Sequence, residues 1–138
     1  MLKTGVATRT GAVRIQMKIQ AERAQGHNAV SAYGAGFVTI NGETYRRSLV
    51  VGHDRLEPDW PVADVESLQS GDLLALARNC DVILLGTGRQ QRFPPRSVLL
   101  PLLKQRLGVE VMDTAAACRT YNVLLAEGRA VVAALIIE

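Results

Sequence analysis

The first half of the chain consists of short apolar and β-branched runs separated by Gly and Asn, a pattern typical of antiparallel strands. Asn41-Gly42 lies between two of these runs and predicts a type I′ hairpin turn, because both central residues of that turn have positive φ. The predicted strands are residues 17–21, 30–33, 37–40, 43–46 and 48–51. Residues 53–63 contain two prolines and are predicted to be irregular. We therefore expect an antiparallel sheet in this half.

The second half of the chain is dominated by strands that alternate with helices. Residues 81–85 end in an unbroken apolar run, which is typical of a strand covered on both faces. Residues 109–112 are predicted as the next strand, and residues 129–137 as the last one. The helix between the first two strands predicts that they are parallel and joined by a right-handed crossover. Residues 81–138 are therefore expected to form a strand–helix–strand–helix–strand unit.

Three helices accompany these strands in the predicted structure. The first is short and is capped by Asp64 or Ser67. The second spans residues 95–107. The leucines expected on its buried side are Leu99, Leu102, Leu103 and Leu107. The third begins after a cap at Asp113 or Thr114 and runs to about residue 126.

The size and composition of the chain favour one globular domain. With 138 residues, 48% of them hydrophobic and 21% charged, the chain is long enough to bury a single core. We expect an α/β domain over residues 17–138. Residues 1–16 contain no acidic residue and no long apolar run, and they are predicted to be a disordered extension. A targeting sequence is the alternative, but the apolar residues of this segment do not recur at helical spacing.

The basic charge of the chain is concentrated in its first residues. Three of the 16 basic residues and none of the 13 acidic residues lie in residues 1–16, which leaves 13 of each sign in residues 17–138. A nucleic-acid-binding surface needs a basic excess on the folded part, so we expect no nucleic-acid partner. No apolar run approaches the roughly 20 residues that span a bilayer, so no membrane span is expected.

The two cysteines, Cys80 and Cys118, are far apart and lie in apolar or helical segments. Two thiols in a domain of this size are typical of a reducing cytosol, where they stay unpaired, and we expect a cytoplasmic protein. The sequence contains no CxxC pair and no Cys/His cluster of zinc spacing. We therefore expect neither a metal nor a cofactor.

The carboxyl ends of the two parallel strands define the most promising edge of the domain. Residues 86–92 follow the first strand and Asp113-Thr114 follow the second, so the two segments are expected to be neighbours. A turn bracketed by Gly86 and Gly88 lets backbone N–H groups approach an anion, and Arg89, Arg92, Arg96 and Arg119 are predicted nearby. A small phosphate or carboxylate is one hypothesis. The alternative is a plain turn, because Gly-Thr-Gly is neither GxGxxG nor a P-loop.

The helix that starts at this edge carries a second group of candidate residues. Cys118 and Asn122 are four residues apart and share a face, and Tyr121 lies beside them. A thiol near a helix N-terminus and arginines can be a nucleophile with a lowered pKa. The alternative is a small buried thiol that packs among alanines, and no histidine is placed to act as its base.

Two other features of the sequence are candidate sites. His53 and Asp54 can be drawn with Ser48 as a catalytic triad, but adjacent residues point apart on a strand, which favours solvated loop side chains. Trp60 lies between prolines and is predicted to be an apolar plug, with a partner contact as the alternative.

Two long motifs resemble a known family. They are GTGRQQRFPP at residues 86–95 and GVEVMDTAAACRTYNVLLAEGR at residues 108–129, and the similarity extends upstream through YGAGFVTINGETYRRSLVV and DRLEPDW. The sequence resembles a family of small domains of unknown function. Its members include bacterial and archaeal proteins, the adipogenesis-associated domain protein of animals, and a mitochondrial assembly factor for respiratory complex I. The similarity covers residues 17–138 and is greatest to the bacterial branch near the assembly factor.

The resemblance implies a three-layer fold in which an antiparallel β portion joins a mixed sheet flanked by helices. It also implies a non-enzymatic domain that binds complex I subunits or other assembly factors. The alternative is a small-anion binder or enzyme at the edge described above. The neutral, apolar body would also tolerate a homodimer. The candidate ligand- or partner-binding residues are Gly86, Thr87, Gly88, Arg89, Arg92, Asp113, Thr114, Cys118, Arg119, Tyr121 and Asn122.

Overall fold

Residues 15–16 and 27–138 are described by a computed structural model, which contains two sheets and three α-helices in these ranges. The first sheet is antiparallel, with its four strands in chain order. They are β1 (Ile15–Gln16), β2 (Val30–Gly34), β3 (Phe37–Ile40) and β4 (Glu43–Tyr45). The strand predicted over residues 17–21 lies outside the described residues. β1 lies inside the range assigned to the extension, and the domain boundary at residue 16 stays a prediction.

The hairpin turn at Asn41-Gly42 is confirmed. Asn41 has a φ of 51° and Gly42 a φ of 88°, which are the positive values that a type I′ turn needs. Ile40 pairs with Glu43 on either side of it. The turn therefore fixes the register of β3 against β4, as expected from the two residues alone.

The second sheet is mixed and has the strand order β6-β5-β9-β7-β8. Its strands are β5 (Leu49–Gly52), β6 (Arg55–Glu57), β7 (Val82–Gly86), β8 (Gly108–Met112) and β9 (Val131–Leu135). β7 is parallel to both β8 and β9, which confirms the predicted parallel pair. β5 is antiparallel to β6 and β9.

Two expectations about the first half of the chain are wrong. β5 was expected in the antiparallel sheet but pairs with β9 in the mixed one, where the layers on either side of that sheet bury all four of its residues. Residues 53–63 were expected to be irregular, yet Arg55–Glu57 forms β6. The turn at residues 53–54 reverses the chain, so that Val51 pairs with Leu56.

The helices lie on both faces of the mixed sheet. Asp64 caps a 3-10 helix (Val65–Ser67), and the first α-helix, α1 (Ser70–Leu74), follows it. The others are α2 (Arg96–Lys104) and α3 (Thr114–Ala126). α3 begins where predicted, because the Asp113 carboxylate accepts a hydrogen bond from the Ala116 amide at 2.8 Å.

The core is divided into two parts by the mixed sheet. On one face, β2 and β3 of the first sheet and α3 pack against Leu84 and Ala133. On the other face, α1, α2 and Trp60 pack against Ile83 and Leu85. These layers make the three-layer α/β arrangement. Successive residues of β7 face the two parts of the core in turn, which confirms the predicted strand that is buried on both faces. Trp60 is an apolar plug, as predicted.

One prediction about α2 is wrong. Leu103 was expected on the buried side but is 58% exposed, while Val98 and Leu102 are buried. Val98 and Leu102 are four residues apart and define the inner face of the helix. Leu103 comes one residue later, which is about 100° further around the helix, and so its side chain points to solvent. Four leucines in nine residues gave no unique apolar stripe, which is why the pattern misplaced this one.

Candidate functional site

The Gly86-Thr87-Gly88 turn continues β7 and is closed by its own threonine. The Thr87 hydroxyl donates to the Gln90 carbonyl at 2.6 Å and accepts from the Arg92 amide at 3.1 Å. Its backbone N–H donates to the Met112 carbonyl at the end of β8 at 2.9 Å. Thr87 is 1% exposed. Its polar groups therefore hold the loop in shape.

The same turn is joined to the start of α3. The Gly88 amide donates to Thr114 Oγ1 at 2.8 Å, and the Thr114 amide donates back to the Gly88 carbonyl at 2.9 Å. The Thr114 hydroxyl in turn donates to the Ile136 carbonyl at 2.7 Å. A Cβ on Gly86 would lie 3.0 Å from Thr114 Cα, so only glycine allows this approach. The predicted neighbourhood of the two segments is confirmed.

A cleft of about 320 Å³ opens beside this junction. The β2–β3 hairpin forms one wall through residues 33–37, and the loop at Gly88-Arg89 forms the opposite wall. The start of α3 and the end of the chain at residues 136–138 complete it. Clefts of about 300 Å³ or more, with apolar walls and a few polar groups, are typical of small-molecule sites.

The cleft carries charges of both signs. Arg119 Nη1 donates to the Tyr33 hydroxyl at 2.8 Å, and this hydrogen bond raises the pKa of Arg119. The Arg89 backbone N–H donates to Glu138 Oε1 at 3.1 Å. The Asp113 carboxylate is already engaged at the cap of α3. The guanidinium of Arg119 is thus held at the wall by an aromatic hydroxyl.

Glu138 was missed by the sequence analysis. Its carboxylate lies against Gly88, where a Cβ would come within 2.6 Å of Oε1, and its backbone oxygen lies near Gly36 on the opposite wall. A glutamate after an apolar strand gives no sequence signal of this kind. The carboxylate of Glu138 reaches Gly88 because the turn has a positive φ of 96° at Gly88 and because β9 ends beside that turn.

Three candidate residues of α3 are buried in the core and do not line the cleft. Cys118 is fully buried, and this burial raises the pKa of its thiol to about 12. The Tyr121 hydroxyl donates to the Asn28 carbonyl at 2.7 Å. Asn122 bonds to the backbone of Val30. A thiol with a raised pKa is protonated at neutral pH, so its surroundings do not favour a nucleophile.

The structure divides the remaining candidates between the cleft and its surroundings. Five predicted residues line the cleft: Gly88, Arg89, Asp113, Thr114 and Arg119. Gly86 and Thr87 are buried and shape the loop. Arg92 points elsewhere and pairs with Glu66 at 3.2 Å.

The structure does not form the catalytic triad of His53, Asp54 and Ser48. His53 Nε2 lies 3.5 Å from Asp54 on the surface, but the Ser48 hydroxyl is buried and accepts from the Ile137 amide at 3.1 Å. Among residues 15–16 and 27–138 there is also no group of three or more His, Cys, Asp or Glu side chains that could hold a metal ion.

Residues 30–136 match the family described as Protein of unknown function (DUF498/DUF598). The chain belongs to this family. A crystal structure of a Bordetella parapertussis protein is 38% identical with a TM-score of 0.77, over 83% of this chain and 99% of that one. An NMR structure of a Xanthomonas campestris protein is 39% identical with a TM-score of 0.74, over 88% and 92% of the two chains. The predicted family and the α/β fold are confirmed.

Named relatives of this DUF498 chain differ in what their names imply. The 13 kDa major membrane protein of Francisella tularensis is 32% identical over 82% of this chain and 94% of that protein. Human NADH dehydrogenase [ubiquinone] 1 alpha subcomplex assembly factor 3 is 31% identical over 86% of this chain and 65% of its own length. Within the part of the chain that the structure describes, no helix has the length and apolar character needed to cross a membrane.

Proposed function

We propose that this chain is a non-enzymatic, cytoplasmic protein-binding factor that acts in the assembly of a respiratory NADH dehydrogenase. Its similarity to the human assembly factor extends over most of the domain, which supports the assignment. The Thr114 hydroxyl is hydrogen-bonded within the fold and the Cys118 thiol is buried, which favours binding over catalysis. Family membership alone does not transfer a function, so the surface of the domain must carry the proposal.

The proposal rests on large apolar side chains that are exposed on the outer side of α2 and in the loop before it. Phe93 is 68% exposed, Leu103 58% and Leu100 38%. Leu100 and Leu103 are three residues apart and share one face of the helix. We call these three residues the α2 surface. Exposed large apolar side chains on a helix face and in the loop next to it are typical of a protein contact.

The charge around the α2 surface indicates the chemistry of its partner. Residues 88–107 contain five basic residues and no acidic one, although the described chain is close to neutral in total. One of them, Arg92, is paired with Glu66. A partner with an apolar pocket inside an acidic rim would complement this arrangement and would be drawn to it by charge.

The test is co-purification of the tagged full chain from cells that contain the NADH dehydrogenase. We expect a subunit or assembly intermediate of that enzyme to be retained. The double variant Phe93→Ser/Leu103→Ser should lose it, because truncating a residue at the centre of an interface costs about 2 kcal/mol or more of binding energy. Val123→Ser is the matched control, since Val123 is 54% exposed but lies on α3.

Two results would contradict the proposal. One is a deletion strain in which the NADH dehydrogenase is fully assembled and active. The other is retention of the subunit that persists in the double variant or disappears after nuclease treatment. Light scattering of the same variants also tests whether the α2 surface pairs with a second copy, since the homodimer remains a prediction.

A further inference from the structure

The turn at Gly88-Arg89 already holds a carboxylate, that of Glu138. The Arg89 amide donates to Oε1 at 3.1 Å. A Cβ at Gly88 would lie 2.5 Å from Glu138 Cδ and 2.6 to 2.9 Å from its two oxygens, so another residue would displace the carboxylate, and the φ of 96° strains any residue but glycine. Gly88 and the Arg89 amide together make a place that fits a carboxylate group.

The space beside this position is larger than one glutamate side chain and is mostly apolar. Phe37, Ala115 and Ile137 line the cleft of about 320 Å³, and Tyr33 closes its end. Glu138 itself is exposed, so its side chain can leave the turn without disturbing the core. A ligand placed here would meet a carboxylate position at one end and apolar walls at the other.

The charged groups of the cleft favour an anionic ligand over a cation. Arg119 is fixed by its hydrogen bond to Tyr33 and turns a guanidinium toward the cleft. When Glu138 leaves the turn, the cleft keeps two arginines, Arg89 and Arg119, against the single carboxylate of Asp113. Asp113 and Glu138 do not form a metal-binding group with any third ligand among the described residues.

We propose that the cleft binds a small carboxylic acid with an apolar or aromatic tail, in the place that Glu138 fills when no ligand is bound. The ligand carboxylate accepts from the Arg89 amide in place of Glu138, and the Arg119 guanidinium, which lines the same cleft, attracts it at longer range. The tail lies against Phe37 and Ile137. Glu138 is then an internal competitor that sets the affinity. This site is separate from the α2 surface and does not depend on the proposed assembly role.

The experiment is an NMR titration of the ¹⁵N-labelled full chain with sodium phenylacetate. Phenylacetamide, which lacks the charge, and acetate, which lacks the tail, are the matched probes. We expect phenylacetate to shift the amide signals of Gly88 and Arg89 saturably, with acetate and phenylacetamide at least about tenfold weaker. In Glu138→Ala, phenylacetate should bind several-fold tighter because the competing carboxylate is gone.

Variants separate recognition from general charge effects. Arg119→Gln should weaken phenylacetate binding about threefold, because it removes the attraction of the guanidinium that lines the cleft. Arg129→Gln removes an exposed arginine beyond the end of α3 and should change nothing. Glu138→Gln keeps a neutral side chain at the turn and should lie between wild type and Glu138→Ala.

Three outcomes would overturn the proposal. The first is no saturable shift in either wild type or Glu138→Ala at millimolar phenylacetate. The second is equal binding of phenylacetamide, since the carboxylate would then not be recognised. The third is unchanged affinity in Glu138→Ala, or shifts confined to residues outside the cleft, either of which would show that Glu138 does not hold the ligand position.

Discussion

Asn122 on α3 bonds to both backbone polar groups of Val30 in β2. Its Oδ1 accepts from the Val30 amide at 3.0 Å, and its Nδ2 donates to the Val30 carbonyl at 2.7 Å. Both residues are buried. The amide side chain thus takes the place of a neighbouring strand and fastens the helix to the first sheet. The pair satisfies backbone groups that would otherwise be buried without a partner.

The first prediction concerns this contact. Asn122→Ala should lower the free energy of unfolding by about 2–4 kcal/mol, because it leaves a buried N–H and C=O unsatisfied. Urea denaturation measures it. Val123→Ala, at an exposed position of the same helix, should change stability by less than about 0.5 kcal/mol. An equal effect of both variants would show that helix propensity, rather than the contact, is responsible.

A second prediction concerns two glycines in different surroundings. Gly86→Ala should destabilise the domain by about 1–3 kcal/mol, because the new Cβ would lie 3.0 Å from the backbone of Thr114. Gly71 lies in α1 with open space around its Cα. Gly71→Ala should therefore stabilise by about 0.5–1 kcal/mol, the difference in helix propensity. Thermal unfolding of both variants should show a lower melting temperature for Gly86→Ala and a higher one for Gly71→Ala. A higher melting temperature for Gly86→Ala would contradict the close approach of Gly86 to Thr114.

The Thr114 hydroxyl supports a third prediction. It accepts from Gly88 and donates to Ile136, so it joins the turn, α3 and the end of β9. Thr114→Ser keeps the hydroxyl and should cost little, whereas Thr114→Val removes it at similar volume and should cost about 1–3 kcal/mol. Hydrogen exchange of the Gly88 amide should be faster in Thr114→Val only. Equal protection in the two variants would rule out the bridge.

The buried thiol gives a pH-dependent prediction. Burial raises the pKa of Cys118 from about 9 to about 12, so the folded state holds its proton where the unfolded state loses it. Its contribution to stability is fully present below pH 9 and is lost as the pH rises from 9 toward 12. Across that range it changes by up to about 1.4 kcal/mol per pH unit. Cys118→Ala should show a shallower alkaline fall in urea denaturation than wild type.

Thiol labelling provides the companion measurement. In Cys80→Ser only Cys118 remains, and a thiol reagent should modify it no faster than the domain opens. Cys80 is partly buried, and burial is also the main cause that raises its pKa, but it is more accessible than Cys118. The reverse variant, Cys118→Ala, should therefore label faster in the native state. Fast labelling of Cys118 would restore the nucleophile hypothesis.

Local patterns were sufficient to predict most elements of the fold. The Asn41-Gly42 turn, the cap at Asp113 and the apolar run of β7 each depend on residues close in sequence, and each is confirmed. The pairing of β5 with β9 could not be predicted this way. Both strands are apolar and short, and nothing in either one encodes a partner 86 residues away, as for Leu49 and Leu135.

The candidate site shows the same division. The meeting of the Gly88 loop with Thr114 followed from the geometry of parallel strands, and the structure confirms it. Glu138, the occupant of the turn, follows from no local rule, because its place depends on where β9 ends. Cys118 and Asn122 were correctly placed on one face of α3, but whether that face points to solvent or to β2 is decided by tertiary packing.

The central position of β9 has a consequence for synthesis on the ribosome. β5 and β7 emerge early, yet each exposes an unpaired edge until residues 131–135 arrive between them. Edges of this kind are templates for pairing with other chains. The nascent domain therefore passes through a period in which its mixed sheet is split in two, and a chaperone that shields β5 and β7 would act before β9 is made.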